Sequence, residues 1–266
     1  MPSADPRKLR RLAARIRLQA TRMVAIQGIG YLGQALSSAE IFAVLFGGGF
    51  VRRGRDRFVL SPGHYVIGIY AVAAELGLAD PQELASYGKD GAKLEAIGSE
   101  RTPFVDLVCG SLGQGLSGAI GFALAARLET EDRRIFAFIS DGELEEGQTW
   151  EAAMFAAHHR LDRITVLLDA NNSQVDGPVT SVTTLEPIAQ KWRAFGWQAV
   201  DIDGHDVEAL CKACAAPDSG VPRILIAHTD ILGRMRSIPR TADGHFIKLD
   251  PALRQAIELE LEAALA

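Results

Sequence analysis

The stretch RRIFAFISDGELEEGQTWEAAMFAAHHRLDRITVLLDANN, residues 133–172, contains the pattern that decides the fold. It begins with a continuous apolar run at 133–140 and ends with a second at 163–170, with a helix-forming segment at 148–161 between them. Continuous apolar strands are typical of parallel sheets that are covered on both faces. The stretch therefore predicts a strand–helix–strand unit.

The same alternation continues on both sides of this unit. Further strands are expected at 56–61, 197–203 and 221–229, helices at 7–26, 39–48, 64–77, 110–129 and 250–265, and a glycine-rich turn at 28–38. Strands that alternate with helices predict an α/β fold with a doubly wound, mostly parallel sheet flanked by helices. No repeat or linker divides the sequence, so we expect a single domain over residues 1–266.

Composition excludes several classes of function. The hydrophobic content is 48% and the net charge is −5, and no basic block indicates a nucleic-acid partner or an anionic membrane surface. No apolar run reaches the roughly 18 residues that a bilayer-spanning helix needs. The basic N-terminus also lacks the apolar core of a signal peptide. We expect a soluble cytoplasmic protein with no membrane partner.

Two of the three cysteines, Cys211 and Cys214, form a C-x-x-C pair. Such a pair is compatible with a redox site or half of a zinc site. No second Cys/His pair has zinc-finger spacing, so the favoured interpretation is two small apolar side chains that pack on a helix.

Polar residues follow the two central strands at the points where each ends. Asp141 and Gly142 come after the first strand, and Asn171 comes after the second. Because a right-handed crossover places consecutive parallel strands near each other, these residues should meet at one sheet edge, where such sheets bind ligands. Carboxylate, amide and carbonyl oxygens suit Mg²⁺ or Ca²⁺, and glycine lets a phosphate approach the backbone. The pattern is compatible with a metal–diphosphate site, but from the residues alone a helix N-cap is the favoured interpretation of Asp141.

Residues 140–179, SDGELEEGQTWEAAMFAAHHRLDRITVLLDANNSQVDGPV, resemble the thiamine-diphosphate motif of transketolases. Four other segments resemble the same family in the same order: RDRFVLSPGHY (55–65), GSLGQGLSGAIGFALAARL (110–128), KWRAFGWQAVDIDGHD (191–206) and AHT (227–229). The resemblance covers roughly residues 10–250. It implies the diphosphate-binding domain of a thiamine enzyme.

The resemblance also implies roles for the residues at the strand ends. Asp141, Asn171 and the main-chain carbonyl of Ser173 would hold the metal ion, and Gly142 would contact the diphosphate of the cofactor.

Other roles implied by the resemblance concern the reacting end of the cofactor. His64 would lie beside the reacting carbon, and Gly110 and Leu112 would line the aminopyrimidine. His245 aligns with a family histidine near the cofactor, although its surroundings differ. Glu146 would join a carboxylate network across a subunit interface. For His64, a helix cap is the simpler alternative.

The family's pyrimidine-binding domain has no counterpart before Ala266. That domain carries the glutamate that activates the cofactor. We therefore expect a split enzyme whose C-terminal subunit is encoded separately, and an α2β2 assembly that binds the cofactor at the interface.

Two departures from the family pattern concern the substrate. The family motif G-H-P-G is replaced by Gly30-Tyr31-Leu32-Gly33, and an ungapped count back from Gly110 places Ile97 at a second family histidine. Both family histidines contact the polar head of the ketose donor. Since buried polar groups need partners, a dihydroxyketone head should bind less well here. We expect a transketolase-like two-carbon transfer to an aldehyde acceptor, in specialised metabolism, from a less hydroxylated donor such as pyruvate or a 1-deoxy ketose.

Two other classes remain open. One is a 2-oxoacid-decarboxylating thiamine enzyme, such as a 2-oxoacid dehydrogenase α subunit or a deoxyxylulose-phosphate synthase-like protein. The other is a non-catalytic subunit that only binds or regulates, against which the intact Asp141, Asn171 and His64 argue.

Overall fold

The computed structural model describes residues 5–266 and follows the alternation expected from the sequence. The strands are β1 (Ile29–Gly30), β2 (Arg57–Leu60), β3 (Leu107–Val108), β4 (Ile135–Ser140), β5 (Ile164–Ala170), β6 (Gln198–Asp203), β7 (Arg223–His228) and β8 (Ile247–Lys248). The α-helices are α1 (Pro6–Gln27), α2 (Leu32–Phe42), α3 (Val66–Glu75), α4 (Gly115–Leu128), α5 (Gly147–His158), α6 (Val179–Val182), α7 (Ile188–Ala194), α8 (Val207–Ala215) and α9 (Pro251–Leu265).

The central sheet has six strands in the order β3-β2-β4-β5-β7-β6, and every neighbouring pair is parallel. The predicted α/β class with a parallel sheet flanked by helices is therefore confirmed. A separate antiparallel ribbon pairs β1 with β8. This ribbon was not predicted, because two-residue strands leave no periodic pattern in a sequence.

The sheet separates two apolar clusters, and β4 shows how one strand serves both. Phe136 and Phe138 pack on the face covered by α1, α2, α3, α8 and α9. Ile135, Ala137 and Ile139 pack on the other face, against α4, α5 and α7. Because side chains alternate along a strand, an apolar run with no polar interruption is what burial on both faces requires.

The expected glycine-rich turn at 28–38 is wrong over most of its length, since α2 begins at Leu32. Ser37 and Ser38, at the end of the expected turn, are both buried inside α2. The Ser38 hydroxyl donates to the Gln34 carbonyl at 2.5 Å, a back-bond that satisfies a serine within a helix.

The cysteine pair lies on α8, where Cys214 is buried and both thiols are free. Within residues 5–266 no group of three or more His, Cys, Asp or Glu side chains could hold a metal ion. The packing interpretation of the pair agrees with this placement. No helix in the same range is both long and apolar enough to cross a membrane.

The start of α4 lies against the loop that follows β2, and Gly115 permits this contact. A Cβ atom at Gly115 would collide with the Cβ and Oγ atoms of Ser61, whereas one at Gly121 would meet nothing within 4 Å. Of these two glycines in α4, Gly115 is required for packing and Gly121 is not.

We expect Gly115→Ala to lower the free energy of unfolding by about 1–3 kcal/mol, because overpacking forces the backbone to shift. The matched control, Gly121→Ala, should raise it by up to about 1 kcal/mol through helix propensity. Urea denaturation of both variants measures the difference, and equal stabilities would contradict the packing role of Gly115.

Candidate active site

Two loops meet at the carboxyl edge of the sheet, where β4 and β5 end side by side. Ser140 pairs with Asp169 in the parallel register. Immediately beyond them, the Asp141 carboxylate accepts a hydrogen bond from the Asn172 main-chain nitrogen at 2.6 Å. The two segments that the sequence separates are thus in direct contact at the edge where open α/β sheets bind ligands.

Asp141 is buried, with a side-chain environment that disfavours its negative charge. Its second oxygen accepts from the Gly142 nitrogen at 3.0 Å. Burial first, and then the nearby Asp169 carboxylate, raise the pKa of Asp141 to about 7. Ser140, not Asp141, is the N-cap of the short 3₁₀ turn Asp141–Glu145, so the N-cap interpretation of Asp141 is not what the structure shows. A divalent cation would offset this buried charge.

Asp169 holds the segments of the site together through hydrogen bonds. The sequence motifs did not assign it a role. Its carboxylate accepts hydrogen bonds from Ser37 Oγ at 2.7 Å, Tyr65 Oη at 2.9 Å and Asn171 Nδ2 at 2.9 Å. The Thr229 hydroxyl donates to it as well. Asn171 Nδ2 also donates to Tyr65 Oη, which leaves its oxygen directed to the loop at Ser173. An acid at the end of an otherwise apolar strand was the signal that could have revealed Asp169.

A cavity of about 240 Å³ opens beside these loops. It collects most of the residues to which the family resemblance assigned roles, although its lining comes from seven separate segments. Its lining consists of Tyr31, His64, Tyr65, Ile97, Gly110, Leu112, Ser140, Gly142, Ser173, Gln174, Val175 and His245. Asp141 and Asn172 lie in an adjoining depression.

The surroundings of the two histidines in the cavity favour the neutral form of each ring. Burial, and then the neighbouring His245, lower the pKa of His64 to about 3, and burial lowers the pKa of His245. Their ring centroids are 5.4 Å apart. The Tyr31 ring lies 5.3 Å from His64, 5.8 Å from His245 and 4.8 Å from Phe246, so the wall near the histidines is aromatic. His64 belongs to a 3₁₀ turn and does not cap α3.

Glu143 is a second carboxylate whose importance the sequence interpretation missed. Its side chain is fully buried. It accepts from Ser61 Oγ, from the Gly113 nitrogen at 2.8 Å and from the Ser140 nitrogen at 3.1 Å, and burial raises its pKa to about 7. The S-x-x-E capping box of Ser140 and Glu143 was legible in the sequence. Glu146, in contrast, is exposed and outside the cavity, so its interface role stays a prediction.

A family model described as "Transketolase, thiamine diphosphate binding domain" matches residues 9–245. The chain belongs to this family. The transketolase resemblance carried by the sequence motifs is therefore confirmed. Membership implies thiamine diphosphate as the cofactor of this transketolase-family chain.

The relatives of this transketolase-family chain differ in length. A transketolase family protein of Sinorhizobium fredii is 38% identical over 250 residues, which are 90% of each chain. A 6-deoxy-6-sulfo-D-fructose transketolase subunit of a Clostridium species is 37% identical, over 88% of this chain and 89% of its own. Human transketolase is 36% identical over 79% of this chain, but this is only 35% of its own length.

Solved structures give the same fold. The crystal structure of transketolase from Campylobacter jejuni superposes with a TM-score of 0.81 at 26% identity. The match covers 97% of this transketolase-family chain and 46% of the crystallised one. The conserved part of the architecture is therefore the domain described above.

Two buried tyrosines allow the hydrogen bonds around Asp169 to be tested. Tyr65→Phe removes a hydroxyl that bonds to both Asp169 and Asn171, and we expect it to lower the free energy of unfolding by about 1–2 kcal/mol. Tyr87→Phe is the matched control, because its buried hydroxyl has no hydrogen-bond partner within residues 5–266. Urea denaturation should show no loss for this control, and equal losses would contradict the structural role given to Asp169.

Proposed function

We propose that this chain is the diphosphate-binding subunit of a two-component transketolase. With a separately encoded pyrimidine-domain subunit, it would form an α2β2 enzyme that uses thiamine diphosphate and Mg²⁺, or Ca²⁺, in the cytoplasm. The reaction would transfer a two-carbon unit from a ketose or 2-oxo donor to an aldehyde acceptor.

One observation carries this proposal: a buried carboxylate without a cationic partner among the described residues lies beside a cavity at the carboxyl edge of the sheet. Asp141 has no salt bridge within the described residues, and burial, followed by the nearby Asp169 carboxylate, raises its pKa. Asn171 and the Ser173 carbonyl would complete a set of hard oxygen ligands of the kind that Mg²⁺ prefers. Gly110 leaves open space where a Cβ would stand, so the backbone is accessible to a ligand. The residues present fit a metal diphosphate.

The need for a partner subunit is supported by the size of the cavity and by the relatives. About 240 Å³ is below the roughly 300–1,000 Å³ of complete ligand sites, as expected for half of an interface site. The Clostridium relative, which is described as a transketolase subunit, is covered over 89% of its length. Glu146 is exposed, and we assign it to the contact with the partner.

The bound cofactor would supply the carbanion that attacks the donor carbonyl. The chain would supply position and hydrogen bonds. His64 and His245, both neutral near pH 7, would donate to oxygen atoms of the reacting group without adding a positive charge. Gly110 and Leu112 would contact the aminopyrimidine, and Gly142 the diphosphate.

We expect Asp141→Asn to weaken Mg²⁺–thiamine diphosphate binding by more than the roughly 10–100-fold typical of outer-shell changes. The binding is measured by titration calorimetry on the assembly co-purified with the pyrimidine-domain protein. Glu145→Gln is the control, because Glu145 is exposed in the same turn. An unchanged affinity in Asp141→Asn would contradict the metal role. Turnover of a ketose by this chain alone would contradict the two-subunit assembly.

The part of the cavity wall that contains Tyr31 and Ile97 bears on the specificity for the donor. Tyr31 and Ile97 line the same cavity as His64 and His245. If they match the two family histidines, as the sequence resemblance implies, a phenol and an alkyl group would replace two hydrogen-bonding rings. A donor head with fewer hydroxyl groups, such as pyruvate or a 1-deoxy ketose, would leave fewer buried polar atoms without partners. The Clostridium relative is named for a ketose that is altered at C6 and keeps its hydroxyketone head, so it supports an unusual donor but not a less hydroxylated head. We place the enzyme in specialised metabolism for the same reason.

With the partner present, we expect pyruvate to outcompete xylulose 5-phosphate. Combining Tyr31→His with Ile97→His should raise kcat/KM for xylulose 5-phosphate by about 10-fold, the value of one recovered hydrogen bond. Val175→His is the control, because Val175 lines the cavity but does not match a family histidine. Efficient use of the sugar phosphate alone by the unmodified enzyme would overturn the altered donor. Release of CO₂ from pyruvate without transfer to an aldehyde would instead favour a 2-oxoacid-decarboxylating enzyme.

A further inference from the structure

Gln34 lies directly behind the cavity and has no role in the site described so far. It is the third residue of α2, and its side chain is 1% exposed. Its Nε2 atom lies 3.1 Å from Nδ1 of His245. This contact is possible because the neighbouring Gly33 packs against the Gly244 carbonyl, where any Cβ would collide.

The chemistry of an amide decides the protonation of the histidine. An amide nitrogen only donates, so His245 Nδ1 must accept and carries no proton. Since the pKa of His245 is lowered by burial, the ring is neutral near pH 7 and its single proton is on Nε2. Within residues 5–266, Nε2 makes no hydrogen bond of its own, so it is available to a ligand in the cavity.

The opposite amide orientation is less favourable on the same grounds. In the observed orientation the atom left without a partner is Gln34 Oε1. In the flipped orientation, the NH₂ group would occupy that position, where the structure records no hydrogen-bond partner. Buried N–H groups without partners are rarer in proteins than under-satisfied carbonyl oxygens. The geometry therefore favours donation from Gln34 to His245.

We propose that Gln34 is a positioning residue that fixes His245 as the Nε2–H tautomer, and so gives the cavity a permanent hydrogen-bond donor. The ligand group that this donor selects is an oxygen acceptor, such as a carbonyl or phosphoryl oxygen. Gln34 itself does not line the cavity and acts only through the histidine. The catalytic meaning of this tautomer rests on the proposed function, but the tautomer itself does not.

The test reads the tautomer directly in the whole chain, labelled with ¹⁵N-histidine and kept free of cofactor near neutral pH. Two-bond ¹H–¹⁵N spectra separate protonated from unprotonated ring nitrogens, and the His245→Asn variant identifies the His245 signals. The expected result is an unprotonated Nδ1 and a protonated Nε2 in the unmodified chain. A protonated Nδ1, or an averaged pattern, would overturn the proposal without requiring any Gln34 variant.

Two variants test whether Gln34 is the cause. Gln34→Glu replaces the donor with an acceptor, so the His245 Nδ1 signal should move to the protonated range. Gln34→Leu removes the donor, and both ring nitrogens should shift toward the averaged pattern. The matched control is Gln174→Leu, because Gln174 lines the cavity but donates to Glu145 at 2.9 Å. It should leave the His245 signals unchanged.

The outcomes separate this inference from the proposed function. A fixed Nε2–H tautomer that survives Gln34→Leu and Gln34→Glu would show that Gln34 is not the positioning residue. Failure of the assembled enzyme to bind Mg²⁺–thiamine diphosphate, with the tautomer as expected, would count against the proposed function alone.

Discussion

The hydrogen bonds collected by the buried carboxylate of Asp169 are the interaction on which the rest of the site depends. They join α2, the turn after β2, the end of β5 and the end of β7, four segments that are distant in the sequence. A carboxylate in the interior is stable only when its oxygens are satisfied, so each segment is held at a defined distance from it. Asn171 takes its orientation from this cluster, and the loop at Asp141 is fixed in turn by its contact with Asn172.

The negative charge of the acids buried at this edge of the sheet opposes folding, although the same charge would favour a bound cation. Asp141, Glu143 and Asp169 all have raised pKa values, and burial is the largest cause in each case. Three acids brought into the interior near one another oppose folding, and hydrogen bonds offset only part of that cost. Metal sites in proteins commonly contain such carboxylates, because the positive charge of the bound cation offsets their negative charge. On the proposed function, a cation held at Asp141 would offset part of this charge.

Much of this arrangement could be predicted from residue patterns, and the remainder could not for identifiable reasons. The apolar runs of β4 and β5 predicted two buried parallel strands, and their ends correctly placed Asp141 near Asn171. Gly30 and Gly33 suggested a turn, yet α2 begins at Leu32, because the helix packs against distant backbone rather than following local propensity.

The acids show a second limit of sequence patterns. Glu143 and Glu145 look alike in DGELEE, but one is buried and one is exposed. The capping box with Ser140, and the contacts with the distant Ser61 and Gly113, distinguish them. The interaction between Gln34 and His245 likewise joins residues from opposite ends of the chain, and no local periodicity encodes it.

The small ribbon of β1 and β8 has a consequence for a chain that is shortened at its C-terminal end. It pairs Ile29 with Lys248 and Gly30 with Ile247, and it brackets Tyr31 and His245, which form one wall of the cavity. The central sheet is complete at β7, whereas this wall and α9, which covers one face of the sheet, come from the residues that follow β7. A chain cut directly after β7 would therefore keep all six strands of the sheet and lose His245, α9 and the strand that pairs with β1. The pocket would lose one wall before the sheet lost a strand.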